Sequence, residues 1–165
     1  MALSNWWVVR ENYRLRQELN SSESFQHTAV GVKLPPLYGQ GLDGRDLSIA
    51  WPAGNQETLV LAFSPSCGHC KKTWPAWLEL ARGCEGKRVV FANVGGSLSE
   101  FLKKYQVGNA VLFAHVEPAS ILAYHFHETP ITLLLTPDGR SKNVWTGEIP
   151  AARLEEIKKD VGWRR

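Results

Sequence analysis

The run ETLVLAFS, residues 57–64, is short, almost wholly apolar, and followed at once by PSCGHCKKTWP. A segment this short has no polar face to offer water, so it reads as a strand covered on both sides, as in a parallel sheet flanked by helices. KRVVFANV, residues 87–94, is a second run of the same kind. Between them, roughly Cys67 to Arg82, Trp74, Trp77, Leu78 and Ala81 recur at helical spacing and predict one buried face. Pro75 removes the bond to the Lys71 carbonyl and predicts a kink. Buried strands alternating with helices make the fold class α/β.

The rest of the chain extends that pattern. LPPLYGQGLDGRDLSI, residues 34–49, carries an Asp43-Gly44 turn between Leu37–Leu42 and Arg45–Ile49 and predicts a β-hairpin. SLSEFLKKYQV predicts a helix opened by a capping box, with Ser97 three residues before Glu100. AVLFAHV, residues 110–116, reads as one strand, and PASILAYHF as a short helix started by Pro118. ITLLLTPDGRSKNVW is a strand, an Asp138-Gly139 turn and a partner strand. PAARLEEIKKDV closes the chain as a helix with Leu154, Ile157 and Val161 inward. Ahead of residue 31, NSSESFQHTAV predicts a loose connector, and roughly Asn5 to Leu19 a first helix. Two readings stand for Trp6 and Trp7: the apolar face of that helix, or the interfacial end of a membrane anchor removed from the chain. The expected division is therefore 1–30 as helix and connector, and 31–165 as one domain.

Composition removes several classes of function. At 165 residues, 44% hydrophobic and 21% charged, the chain can bury a core without staples. A net charge of +3, evenly spread, does not point to nucleic acid as a partner. Three cysteines are too few for a disulfide scaffold and leave at least one thiol unpaired. No apolar run approaches the ~18 residues of a membrane span, and MALSNWWVVR lacks the apolar core of a signal peptide.

The chemistry centres on Cys67-Gly68-His69-Cys70. A CxxC by itself is a redox pair, half of a metal site, or two ordinary cysteines. Here it falls where a buried strand gives way to a helix, whose N-terminus carries unpaired N–H groups and about half a positive charge. A thiolate at Cys67 is stabilised there, and the thiolate is the reactive form. Cys70, one turn inward, is more shielded and suits the role of resolving thiol. His69, if its imidazole lies beside the thiols, favours the thiolate and makes the disulfide more oxidising; otherwise it is plain surface. Cys84, 14 residues past Cys70, lies about 20 Å along the helix and reads as a structural thiol. His125, His127 and His115 could join Cys67 and Cys70 in a metal site, but no second CxxC completes a structural zinc site. The expectation is no metal and no bound cofactor beyond a Cys67–Cys70 disulfide.

The strand, the CxxC, a helix with proline five residues after the second cysteine and a later Thr-Pro opening a strand together resemble the thioredoxin fold, a three-layer α/β sandwich. The preceding hairpin and the 60 residues from Cys70 to Pro130 resemble its membrane-tethered, extracytoplasmic TlpA/ResA-type branch, over roughly residues 31–160. The resemblance implies that Cys67 is the nucleophile and Cys70 the resolving thiol. It implies that Thr129–Pro130 is a cis-proline loop facing them and binding substrate, with Gly68, His69 and Pro130 tuning the pair. It implies a monomeric protein-disulfide oxidoreductase, more a reductase than an oxidase, acting outside the cytoplasm on protein dithiols or disulfides with a redox partner protein. The full-length protein would be anchored to a membrane. The chain departs from the pattern where relatives carry Trp, Asp and Glu; here stand Ser66, Leu61 and Thr73, so both usual proton-handling carboxylates are missing. Gly68-His69 is instead similar to disulfide isomerases. Two rival readings follow from the same fold. Copper-delivering relatives use a longer cysteine spacing and a distant histidine, whereas thiol peroxidases need a Thr or Ser three residues before the reactive cysteine, where Ser64 stands.

Overall fold

The computed structural model describes residues 28–164. The expected helix over Asn5–Leu19, with Trp6 and Trp7, and most of the connector lie outside the described residues. In chain order the elements are β1 (Leu37–Gln40), β2 (Asp46–Ile49), β3 (Thr58–Phe63), α1 (Gly68–Gly83), β4 (Arg88–Asn93), α2 (Ser99–Lys104), β5 (Val111–Phe113), β6 (His115–Val116), α3 (Pro118–Ala123), β7 (Ile131–Leu135), β8 (Ser141–Thr146) and α4 (Ala151–Asp160). Five strands form the main sheet in the order β5-β4-β3-β7-β8, and β2-β1-β6 form a second, smaller sheet.

β3 lies at the centre, parallel to β4 and antiparallel to β7. All six of its residues are buried, which is what an apolar run with no polar alternation requires. Successive side chains point to opposite faces and seed two cores. Leu59, Leu61 and Phe63 pack with Trp74, Trp77 and Leu80 of α1, Phe101 of α2 and Ile157 of α4. Val60 and Ala62 pack with Leu37 and Ile49 of the hairpin, Phe113, Val116, Tyr124 and Phe126. Helices α1, α2 and α4 cover one face of the main sheet, and the small sheet with α3 and the segment after it covers the other. Among the described residues no helix is long and apolar enough to cross a membrane.

Four local expectations need correction. The stretch 110–116 is not one strand: it breaks at Ala114, β5 staying in the main sheet while β6 joins β1. The buried Asn93 side chain explains the break, because its amide donates to the Ala114 carbonyl at 2.8 Å and to Gly96 O at 3.0 Å. β6 can then approach β1 closely because residue 39 is glycine; a Cβ there would stand 2.2 Å from the His115 carbonyl oxygen. The capping box does not form: α2 begins at Ser99 with Leu98 as its cap, and Glu100 pairs with Lys103 at 2.6 Å. The buried face of α1 runs through Cys70, Thr73, Trp74, Trp77 and Leu80, with Leu78 and Ala81 only half-buried, so it is rotated from the expected stripe. Pro75 stands inside α1, which extends to Gly83. In α4, Ile157 and the following Val161 are fully buried while Leu154 is half-buried.

The last residues of the connector are not loose. Thr28 is buried and its hydroxyl donates to Tyr124 O at 2.6 Å. Ser141, at the start of β8, gathers the chain behind it. Its hydroxyl donates to the Ala29 carbonyl and accepts from Val32 N–H at 3.1 Å, while its backbone bonds Gly31 N–H at 2.7 Å and Val32 O at 2.9 Å. Ser141→Ala therefore strips two partners from a side chain in a buried position. The expected cost is about 1–3 kcal/mol in urea unfolding with an unchanged slope, and a loss under ~0.5 kcal/mol would show that this strap is not fastened by the hydroxyl.

Candidate functional site

The two cysteines are placed by the end of β3. Past Phe63 the chain turns through Ser64, Pro65 and Ser66. The turn is held by the Ser64 hydroxyl, which donates to Gly95 O at 3.0 Å and lies 2.9 Å from the Ser66 hydroxyl, and by Cys67 N–H donating to Ser64 O at 3.0 Å. Cys67 then caps α1. Its backbone is extended (φ −72°, ψ 115°) and its sulfur accepts from the Cys70 N–H at 3.1 Å. This is the ordinary N-cap arrangement with sulfur in place of the usual oxygen. Cys67 is partly exposed, whereas Cys70 is completely buried, and both are free thiols.

The segment before β7 closes over them. Cys67 Sγ lies 3.4 Å from the Thr129 carbonyl oxygen, the Thr129–Pro130 peptide is cis, and Pro130 is buried. The structure therefore brings Cys67, Cys70, Thr129 and Pro130 to one place although 62 residues separate Cys67 from Thr129.

The two thiols are electrostatically unlike. Partial burial works to raise the Cys67 pKa, but hydrogen bonds from the Cys70 side chain, the Cys70 N–H, the Thr129 side chain and the His69 N–H outweigh it, and the thiol sits below its ordinary value. Burial, reinforced by the hydrogen bond to Cys67, pushes Cys70 up to about 12. Cys84 is also buried and pushed up to about 11, chiefly by desolvation. A pH titration of alkylation on reduced protein is therefore expected to show one fast thiol, Cys67, reacting below the ordinary thiol range. Cys70 and Cys84 should stay slow until the pH passes about 11. A fast reaction at Cys84 would overturn this ranking.

Gly68 and His69 lie exposed in the first turn of α1. The His69 imidazole turns outward: its Nδ1 is 2.5 Å from the Glu148 carboxylate, and only its backbone N–H serves Cys67. Lys72 Nζ reaches the same carboxylate oxygen at 3.0 Å. Glu148, in the turn after β8, carried no signal in the sequence, because only folding brings it to α1. Thr73 is buried, and its hydroxyl accepts from Ile149 N–H at 3.4 Å. Leu61 is likewise buried in the core.

Among the described residues, His115, His125 and His127 do not form a metal-binding group with the thiols. The His125 and His127 ring centroids are 6.5 Å apart, and among the described residues no three His, Cys, Asp or Glu side chains form a group able to hold a metal ion.

No protein-family model matches the chain, and no curated protein does. Solved structures do. A putative thiol:disulfide interchange protein DsbE from Chlorobium tepidum superposes with a TM-score of 0.69 at 17% identity, over 81% of this chain and 95% of that one. The thioredoxin domain of a thiol-disulfide oxidoreductase from Bacteroides vulgatus gives 0.62 at 19% identity, over 81% and 98%. A peroxiredoxin-like protein from Aquifex aeolicus gives 0.63 at 12% identity, over 82% and 88%. A five-stranded sheet of mixed direction between helices α1, α2 and α4 on one face and α3 with the small sheet on the other, and a CxxC capping α1 beneath a proline loop, thus make this a thioredoxin-like fold, and thiol–disulfide interchange proteins recur among the structures it resembles.

Proposed function

We propose that the protein is a thiol–disulfide oxidoreductase that works through Cys67 and Cys70 as a reductase of protein disulfides outside the cytoplasm. The observation that carries this reading is the asymmetry of the pair: an accessible thiol of lowered pKa on a helix N-terminus, backed one turn further in by a buried thiol of raised pKa. In the forward direction the Cys67 thiolate attacks one sulfur of a target disulfide. The target S–S bond breaks, and the leaving sulfur departs as a thiolate and takes up a proton. Cys70 then loses its proton and attacks the Cys67 sulfur, forming the Cys67–Cys70 disulfide and freeing the second target sulfur as a thiol. Two electrons pass from the dithiol to the target, and no bound cofactor is required. A second, partner protein then returns the pair to the dithiol state.

Cys67 is the only one of the two thiols with access, so the mixed disulfide forms there. The proton that Cys70 loses in the second step is balanced by the one that the departing target sulfur takes up. Thr129 lies against Cys67 at the mouth of the site, where its backbone suits pairing with an extended target segment. Pro130, buried beside it, has no N–H to donate. Recognition through main chain predicts a range of protein targets.

Two observations weigh against the rivals. The Ser64 hydroxyl, which a peroxidase would turn to the reactive cysteine, is committed to Gly95 and Ser66. Among the described residues, the histidines that a metal chaperone would need do not gather at the thiols. The test is insulin reduction driven by dithiothreitol, compared with hydrogen peroxide consumption. Reduction with no peroxide turnover supports the reading; peroxide turnover without insulin reduction would overturn it.

A further inference from the structure

Beside the thiol pair stands a three-membered charged cluster that the exchange chemistry above does not use. Glu148 Oε1 lies 2.5 Å from His69 Nδ1 and 3.0 Å from Lys72 Nζ, so one carboxylate oxygen holds two side chains from the start of α1. Its backbone is clamped on both sides. The Gly147 N–H donates to Pro130 O at 2.9 Å, and the Ile149 N–H donates to Thr73 Oγ1 at 3.4 Å, with Ile149 buried. The turn that bears Glu148 is thereby fastened to the proline loop and to α1, the two elements that make the thiol site.

A charged pair of long side chains on a surface is weak on its own. Here its importance is positional. His69 is adjacent to Cys70 and two residues from Cys67, and an imidazole or ammonium free to swing toward Cys67 would add to the stabilisation of its thiolate. Held by Glu148, neither does so: the only His69 group serving Cys67 is its backbone N–H. The Glu148 carboxyl is itself held below its usual range, first by the hydrogen bond from His69 and then by that from Lys72, so it is ionised throughout the neutral range.

We propose that Glu148 is a positioning residue of the redox site, tethering His69 and Lys72 away from the Cys67 sulfur and so keeping the pair more reducing than its CGHC sequence alone would make it. This rests on the thiol–disulfide reading of Cys67 and Cys70. Full reduction of the Cys67–Cys70 disulfide leaves Cys67 as an accessible thiolate, and whatever stabilises that thiolate favours the dithiol. Keeping the imidazole and the Lys72 ammonium away from it therefore favours the disulfide and strengthens the dithiol as a reductant.

The experiment is equilibration of the full chain with glutathione, following dithiol plus glutathione disulfide to protein disulfide plus two glutathione thiols. It is run on Glu148→Gln in the natural background and in a His69→Ala/Lys72→Ala background, and the Cys67 alkylation profile is recorded on the same samples. All three side chains are exposed or half-exposed, so the core is untouched. In the natural background Glu148→Gln is expected to lower the equilibrium constant for protein disulfide formation by about threefold and to move the alkylation profile to lower pH, on the scale of an exposed charge interaction. In the double-alanine background the same substitution should change neither. No shift in the natural background, or an equal shift in both, overturns the tether, the second outcome assigning the effect to the carboxylate's own charge. If the natural protein fails to equilibrate with glutathione at all, the fault lies with the thiol–disulfide reading. If it equilibrates and Glu148→Gln is silent, only the tether falls.

Discussion

Cys67→Ala is expected to abolish disulfide exchange, and Cys70→Ala to halt it halfway with the protein covalently joined to its target. The two outcomes differ because the two thiols do. Burial holds the Cys70 thiol well above the ordinary range, so it carries little thiolate at pH 7, and it is wholly shielded from solvent. Alone it should exchange at least ~10³-fold more slowly than the natural pair. Cys67 keeps its cap position and its access when Cys70 is replaced, although it loses one of the hydrogen bonds that lower its pKa. It should therefore still attack, and with no resolving thiol the mixed disulfide persists. Non-reducing gels after mixing with a disulfide-bonded protein show the difference directly: a shifted band with Cys70→Ala and none with Cys67→Ala. Equal trapping by both variants would end the division of labour argued for the pair.

Behind the thiols, Trp74→Ala is expected to remove about 3–5 kcal/mol, a large share of the ~5–15 kcal/mol that a domain of this size holds. Trp74 is 1% exposed, and its ring sits within 5.0 Å, centroid to centroid, of Phe63, Phe91 and Phe101. The finer test compares phenylalanine substitutions at the two core tryptophans. The indole N–H of Trp74 has no hydrogen-bond partner among the described residues, so Trp74→Phe forfeits only part of the packing and should cost about 1.5 kcal/mol or less. Trp77 instead donates to the buried Thr132 hydroxyl at 2.8 Å, and Trp77→Phe strands that oxygen. It should cost about 1–3 kcal/mol more than its neighbour. Urea midpoints of the two variants measure the gap; a reversed order would show that the Thr132 bond contributes nothing.

The parts of the fold visible in the sequence were those governed by local pattern. β3 is apolar at every position because both its faces are covered, and the Asp43-Gly44 and Asp138-Gly139 turns mark two hairpins because short loops need those residues. The Cys67–Cys70 spacing likewise announced itself, since a helix N-terminus and a CxxC are both local. What stayed hidden depended on partners distant along the chain. The break at Ala114 is made by Asn93, whose side chain takes a carbonyl that a continuous strand would share. The rotation of the α1 face follows from which side of the helix meets β3 and β4, and helical spacing alone cannot distinguish Leu80 from Leu78. His69 illustrates the limit at the site itself. Its place in the motif was plain, but the direction of its ring was decided by Glu148, 79 residues later.

The fastening of residues 28–34 also determines how this domain responds to force. Thr28, Ala29, Gly31, Val32 and Leu34 are bonded in turn to Tyr124, Ser141 and Gly139. A pull on the chain at Thr28 would load these bonds one after another, before any tension reached β1. Ser141 pairs with Leu135 at the end of β7, whereas the thiols lie at the opposite end of the sheet, where β3 finishes and β7 begins. The strap is thus a mechanical fuse, which yields by local opening and spares the distant edge. A protein held by residue 28 could be tugged, and even have this short segment peeled away, while Cys67 and Thr129 kept their relative positions.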